Sequence, residues 1–391
     1  MPAAAKPRYE ILDGLRGVAA LIVVAFHLFE TYAASSAEQI LNHGYLAVDF
    51  FFMLSGFVVG YAYDDRWGVM TIRGFFKRRL TRLQPMVVVG TLVGAALFYF
   101  TDAPAFPLVG RTPWWELLIV MLLGCLMIPT PPSMDIRGWS EINSLNGAQW
   151  SLMWEYIANV LYATVVRRFS RGALALLVAL SALLTLDLCF DVDVFGLLEV
   201  RSGVAYTVIG GFGLSPDQVY IGLARLFYPF FGGLLLFRLG KRIRIGHGGF
   251  WWCSVALAAI LVTPYCGTDR MPWLNGLYCA VAILLLMPAI VATGAGSRIS
   301  GRRSAAVCRF LGDISYPLYI THYPLIYLQM TWAAGHADAP LSTHIFVAVA
   351  LFCTAVAVAY AFLKLYDEPV RAWLRDHWLS SKSAGSGASV S

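Results

Sequence analysis

Arg16 and His27 lie in one apolar run, ILDGLRGVAALIVVAFHLFETY, from Ile11 to Tyr32. Their separation is eleven residues, which at ~100° and ~1.5 Å per residue is three helical turns plus about 20°, with a rise of ~16 Å. Both side chains therefore occupy one stripe of one helix. If Arg16 sits near one surface of a bilayer, His27 lies at or just past the middle, where an ionisable group costs ~2.5 kcal/mol or more unless it faces protein or a wet cavity. A histidine at that depth is a candidate proton acceptor. The plainer alternative is a hydrogen bond to a neighbouring helix.

Four more ionisable residues sit inside apolar segments: Asp49 in YLAVDFFFMLSGF, Glu155 in AQWSLMWEY, Arg225 in LARLFYPFF and His322 in ISYPLYITHYP. With the topology given below, their depths agree with that of His27 although they come from different segments. A shared polar cavity between the midplane and the outer leaflet accounts for the agreement most economically. Each also has a plainer explanation. Asp49 suits the positive end of a helix dipole, and Glu155 has the same excuse but lies deeper. Arg225 could snorkel outward, and His322 could donate to a carbonyl left open by Pro324. On the inward side, IRGFFKRRLTRLQP carries Arg79 and Arg82 three apart and Arg78 and Arg82 four apart, so their guanidinium groups are neighbours if the segment is helical. An anchor on anionic lipid explains most such clusters. A phosphate clamp is the sharper reading, because planar arginine suits it better than lysine.

The elements that must carry these groups follow from composition. The chain has 391 residues, 59% hydrophobic and only 13% charged, against about 25% charged in soluble domains. Apolar segments fall at 11–33, 43–63, 85–101, 113–130, 148–166, 172–190, 219–237, 250–266, 273–293, 311–333 and 343–366. Of the 29 basic residues, 24 gather before, after or between these segments on what should be one side, and the positive-inside rule makes that side cytoplasmic. The pattern works only if one segment does not cross. The weakest is 113–130, which is short, holds Glu116 and is bracketed by prolines, and is expected to be re-entrant or interfacial.

The expected fold is thus an all-α integral membrane protein of about ten transmembrane helices plus that segment, with both termini cytoplasmic. No signal peptide is expected, because the first apolar segment is too long and lacks a small-residue cleavage site. The formal charge of +6 reflects this topology rather than a nucleic-acid partner. Seven scattered cysteines, without a CxxC pattern, indicate neither a metal site nor a disulfide framework. The external loops at 130–147 and 191–218 are Pro-rich or Gly-rich and could cover a site, and SSKSAGSGASVS is a low-complexity tail.

The motifs LDGLRGVAALIVVAFH, VDFFFMLSGF, FFKRRLTRLQP, AQWSLMWEY and LGDISYPLYITHYPL, in this order and approximate spacing, resemble the acyltransferase 3 family over residues 9 to about 370. Residues 1–8 would then be a cytoplasmic leader and 371–391 a cytoplasmic tail. Thr321 and Gln84 depart from the family's usual residues, and the SGNH-type esterase domain that many relatives append is not seen. The resemblance implies a ten-span enzyme that transfers an acyl group, most often acetyl, from cytoplasmic acyl-CoA to hydroxyls of extracytoplasmic or lipid-linked glycans. Carried onto this chain, the family's arginine and histidine are Arg16 and His27, its paired arginines are Arg79 and Arg82, and its motif acid is Glu155.

CoA phosphates would then meet Arg79 and Arg82, with Arg16 and Arg78 as further candidates. His27 would act as general base, with Glu155 or Asp49 orienting the imidazole. His322, Ser151 or Tyr319 would donate to the oxyanion. A covalent relay through His27 or a nearby hydroxyl is the alternative route. A proton-coupled transporter of a small polar solute is the competing reading, since intramembrane His, Asp, Glu and Arg also suit proton relays. It calls for inverted repeats, which the sequence does not display.

Overall fold

The computed structural model describes residues 8–198, 201 and 203–379, and over these the chain is helical with irregular connections. The helices are α1 (Glu10–Glu30), α2 (Ala47–Tyr63), α3 (Ile72–Leu97), α4 (Trp114–Cys125), α5 (Gln149–Thr164), α6 (Arg171–Phe190), α7 (Pro216–Leu239) and α8 (Gly249–Val262). They are followed by α9 (Trp273–Val281), α10 (Met287–Gly296), α11 (Arg302–Thr321), α12 (Tyr323–Gly335), α13 (Leu341–Phe362) and α14 (Glu368–Leu374). Wide turns join α9 to α10 and α13 to α14 without a break. Seven of the helical stretches are long and apolar enough to cross a membrane. Most of the expected leader and tail, residues 1–7 and 380–391, lies outside the described residues.

Every apolar segment read from the sequence overlaps a helix, and two helices begin well before their expected starts, α3 at Ile72 and α11 at Arg302. The helix expected at 85–101 begins at Ile72, because Thr71 caps it by accepting from the Gly74 amide at 3.1 Å. It then runs on through Pro85. This puts the arginine cluster on the helix itself. α4 has only 12 residues, ~18 Å of helix against ~30 Å of hydrocarbon. Gln84 ties this short helix down, donating to the Cys125 carbonyl at 2.6 Å and accepting from the Tyr156 hydroxyl at 2.7 Å.

α1 is the central post. It packs along α11 and also meets α2, α8, α10, α12 and α13, while α2 packs along α7. Without a hydrophobic force between helices in lipid, close backbone approach must supply the packing, and that requires small residues. A Cβ on Gly17 would lie 2.2 Å from the Leu311 carbonyl oxygen, and one on Gly56 would lie 1.8 Å from that of Phe230. The α11–α12 rod is interrupted at His322. Pro324 has no N–H for the Ile320 carbonyl, and the Asn146 side-chain amide donates to that oxygen instead, at 2.7 Å.

The basic clusters share one end of the molecule. Arg238 bonds Asp64 at 2.7 Å and the Phe169 carbonyl at 2.9 Å. The Arg167 guanidinium lies 4.2 Å from the Trp67 ring centroid and that of Arg242 5.6 Å from Tyr9. Lys77 donates to the Trp378 carbonyl at 3.3 Å.

The α2–α7 contact predicts that Gly56→Ala destabilises the protein by about 1–3 kcal/mol, the usual cost of overpacking. Gly68→Ala, at a position with open space around it, should be neutral. Thermal denaturation in detergent checks this, and equal melting of the two variants would refute the close approach.

Candidate active site

Three adjoining spaces run through the molecule beside α1. At the basic end is a vestibule of about 840 Å³ bordered by Arg8, Asp13, Arg16, Arg66, Arg82 and Arg371. It shares Arg16, Val58, Arg82 and Tyr316 with a narrow chamber of about 90 Å³ that also reaches Arg79, Ser151, Glu155 and Tyr319. The chamber in turn shares Val48 and Tyr319 with a cleft of about 420 Å³ at the opposite end, where His27 lies. Arg16 and His27 thus mark the two ends of this line, as their common stripe on α1 requires.

In the cleft, His27 Nδ1 is 2.7 Å from Glu30 Oε2, one turn further along α1. A carboxylate only accepts, so Nδ1 carries the hydrogen and Nε2 presents a lone pair. The ring is fixed on its other sides by edge contacts with Phe26 and Tyr323 and by stacking on His322 at 5.6 Å between centroids. His322 itself is fully buried. Its Nδ1 faces the carbonyl oxygens of Tyr319 at 2.9 Å and Leu318 at 3.2 Å, so this nitrogen must be the donor. Its Nε2 is buried without a partner. The expectation that His322 donates to an oxyanion is therefore corrected: in this tautomer its unused nitrogen can only accept.

The two loops expected to cover a site do wall the cleft. Trp139 and Glu141 come from the first, and Val204, Ile209, Gly210 and Phe212 from the second. The loops are joined by the Ile142 amide, which donates to the Phe212 carbonyl at 2.9 Å. Burial pushes the Glu141 carboxyl up to about 7, opposed by the hydrogen bond from Tyr327 at 2.8 Å and by the charge of Arg137. Near neutral pH, Glu141 can both donate and accept.

The expected orienting acids are engaged elsewhere. Glu155 accepts from Arg79 and from the Ser55 hydroxyl, each at 2.6 Å, in the narrow chamber. Two turns into α5, it lies too far along its helix to serve the cleft. Asp49 is fully buried against Arg225, with Arg225 Nη2 to Asp49 Oδ2 at 2.7 Å. Arg225 also bonds the carbonyls of Tyr45 and Gly210, so it does not snorkel; it holds α7 to α2.

The single polar cavity expected from matched depths is thus two compartments. Arg16 donates to the Ser315 hydroxyl at 2.8 Å and lies 3.4 Å from Asp13. Ser151 and Tyr319 share a hydrogen bond of 2.7 Å beside the chamber. Arg78 is exposed and borders none of the three spaces. Sequence reasoning missed Glu30, although its position three residues after His27 was a readable signal. It also missed Glu141 and Trp139, which only the folded loop brings to the cleft, and Trp150 at the start of α5.

A helical bundle with apolar helices of spanning length and a polar line through it defines a multi-pass membrane protein. Its sequence matches the model of an acyltransferase domain over residues 9–364, and the chain belongs to this family, the acyltransferase 3 family. An acyltransferase from Streptomyces mycarofaciens, MdmB, is 26% identical over 331 residues, 82% of this chain and 79% of its own length. Protein 2 of the picA locus of Rhizobium radiobacter is 34% identical over 182 residues, 45% of this chain and 91% of its own. YrhL of Bacillus subtilis, a putative peptidoglycan O-acetyltransferase, is 26% identical over 386 residues, 92% of this chain. The chain spans about half of YrhL's length, 54%. No solved structure matches. Membership of this family makes the protein an acyltransferase and sets the transporter reading aside.

Because Asp49 would be left as an uncompensated buried charge, Arg225→Ala should destabilise the fold by about 3–5 kcal/mol. The double variant Asp49→Asn with Arg225→Gln should recover part of that loss. Thermal melting checks both, and a wild-type melt for Arg225→Ala would show that the pair is not structural.

Proposed function

We propose that the enzyme moves a short acyl group, acetyl in the simplest case, from cytoplasmic acyl-CoA to a hydroxyl of an extracytoplasmic or lipid-linked glycan. The observation that carries this reading is the line of spaces from the arginine-bordered vestibule to His27. CoA is a charged, phosphorylated head on a long slim arm. Its phosphates suit the vestibule, where Arg16, Arg66 and Arg82 offer guanidinium groups able to bind phosphate in a bidentate manner. Arg79 is held by Glu155 but keeps a buried Nε without a partner, so it can reach the arm or a phosphate from the chamber wall. The arm then passes Ser151 and Tyr319 and brings the thioester toward His27.

In the transfer step, the acceptor oxygen attacks the thioester carbon while His27 Nε2 takes the hydroxyl proton. The tetrahedral oxyanion is stabilised by the hydroxyls of Tyr319 or Ser151. Its collapse breaks the carbon–sulfur bond, the imidazolium returns the proton to the departing sulfur, and the products are the ester and free CoA. The cleft presents the indoles of Trp139 and Trp150 and the carboxyl of Glu141, a mixture of flat apolar faces and few polar groups that suits a sugar ring.

The gathering of basic clusters at one end supports placing that end in the cytoplasm. The chain then crosses the cytoplasmic membrane ten times, with α4 too short to span and packed on the bundle through Val120 and Gly124 while Trp114, Trp115, Leu118 and Leu122 face outward.

His27→Ala should lower kcat by about 10²-fold or more with the melting temperature preserved, and undiminished transfer would remove His27 from the chemistry. Arg82→Ala should raise the apparent KM for acetyl-CoA about tenfold, the effect of losing one charge-assisted contact, and leave that for acceptor unchanged. Equal rises in both would indicate a lipid anchor instead.

A further inference from the structure

Among the carboxylates near the cleft, only Glu30 is bonded to His27. Asp49 is committed to Arg225, Glu155 to Arg79 and Ser55, and Glu141 receives the Tyr327 hydroxyl. Packing sets the plane of the His27 ring, since Phe26, Tyr323 and His322 surround it. It does not decide which nitrogen bears the hydrogen. That choice falls to the 2.7 Å contact with Glu30.

The placement of Glu30 also needs a reason. It closes the last turn of α1, where the helix dipole disfavours a negative charge and favours a cationic imidazole. A carboxylate there is explained if its partner must become cationic during the reaction.

We propose that Glu30 is the positioning residue of His27, holding the Nδ1–H tautomer so that Nε2 faces the acceptor hydroxyl and offsetting the imidazolium charge that forms there. The inference rests on the reading of His27 as general base. Glu30 itself touches neither reacting atom. Its carboxylate is 40% exposed at the cleft mouth, so its effect is smaller than that of a fully buried triad acid, whose loss costs about 10⁴-fold.

Transfer kinetics of the full-length protein in nanodiscs, with Glu30→Gln and Glu30→Ala, test this. Both variants should lose about 10- to 100-fold in kcat, the lower part of the range for acid–base groups. The KM values for acetyl-CoA and acceptor should stay within about twofold, the mark of an interaction made in the transition state. Glu30→Gln is isosteric and guards against a folding defect. Nitrogen-15 NMR of the His27 ring should show the Nδ1–H tautomer in the native protein and a mixture in Glu30→Ala. Native kcat in both variants, or a raised acceptor KM with native kcat, would overturn the proposal and leave Glu30 as a surface or acceptor contact. Were His27→Ala fully active, the base reading itself would fail. An inactive His27→Ala beside fully active Glu30 variants would sink only the present inference.

Discussion

In a bilayer core an ionised side chain is tolerated only when it is paired or wet, and this constraint sorts the charged residues of the protein. Arg225 and Asp49 neutralise each other in complete burial and bind α2 to α7. Arg79 and Glu155 do the same between α3 and α5, and Arg238 and Asp64 at the basic end. Once these partners are assigned, the two imidazoles beside the cleft are left with unused nitrogens. The structural pairs absorb charge that would otherwise compete for His27, which keeps Glu30, its helical neighbour, as its acidic partner.

The same sorting gives the two ends of the line of spaces different linings. Five arginines and the carboxylates of Asp13, Asp313, Asp367 and Glu368 border the vestibule, while the far cleft is bordered by aromatic faces, Glu30, Glu141 and Arg225. In the proposed reaction a phosphorylated donor would meet the arginines of the vestibule and a polyol the aromatic faces of the cleft. The narrow chamber between them meets the cleft at Val48 and Tyr319. α1 holds the geometry together because both Arg16 and His27 belong to it. The backbone contact at Gly17 fixes it against α11, which carries Tyr319 and leads into His322.

Much of this was readable in the sequence, because helical periodicity and hydropathy act locally. The Arg16–His27 stripe, the short segment at 113–130 and the covering role of the two loops all follow from such rules. Partner choice was not readable. Depth places Asp49, Glu155 and Arg225 in similar layers but cannot say which faces which, since that depends on how each helix is rotated. The Arg79–Glu155 pair was hidden further by Pro85, which reads as a helix boundary although α3 runs through it. Glu30 is masked for the opposite reason: a carboxylate at the end of an apolar run reads as the point of exit to water, although its spacing of three from His27 places the two side chains together on α1.

The central claim is that donor and base meet along one passage. A structure of the protein with a non-hydrolysable acyl-CoA analogue, carrying a methylene between sulfur and carbonyl, tests it most directly. The account predicts phosphate density among Arg16, Arg66 and Arg82, the arm running past Tyr319, and the acyl carbonyl beside His27 Nε2. An analogue bound with its nucleotide in the far cleft, or with its acyl end turned away from Tyr319 into the bilayer, would contradict it.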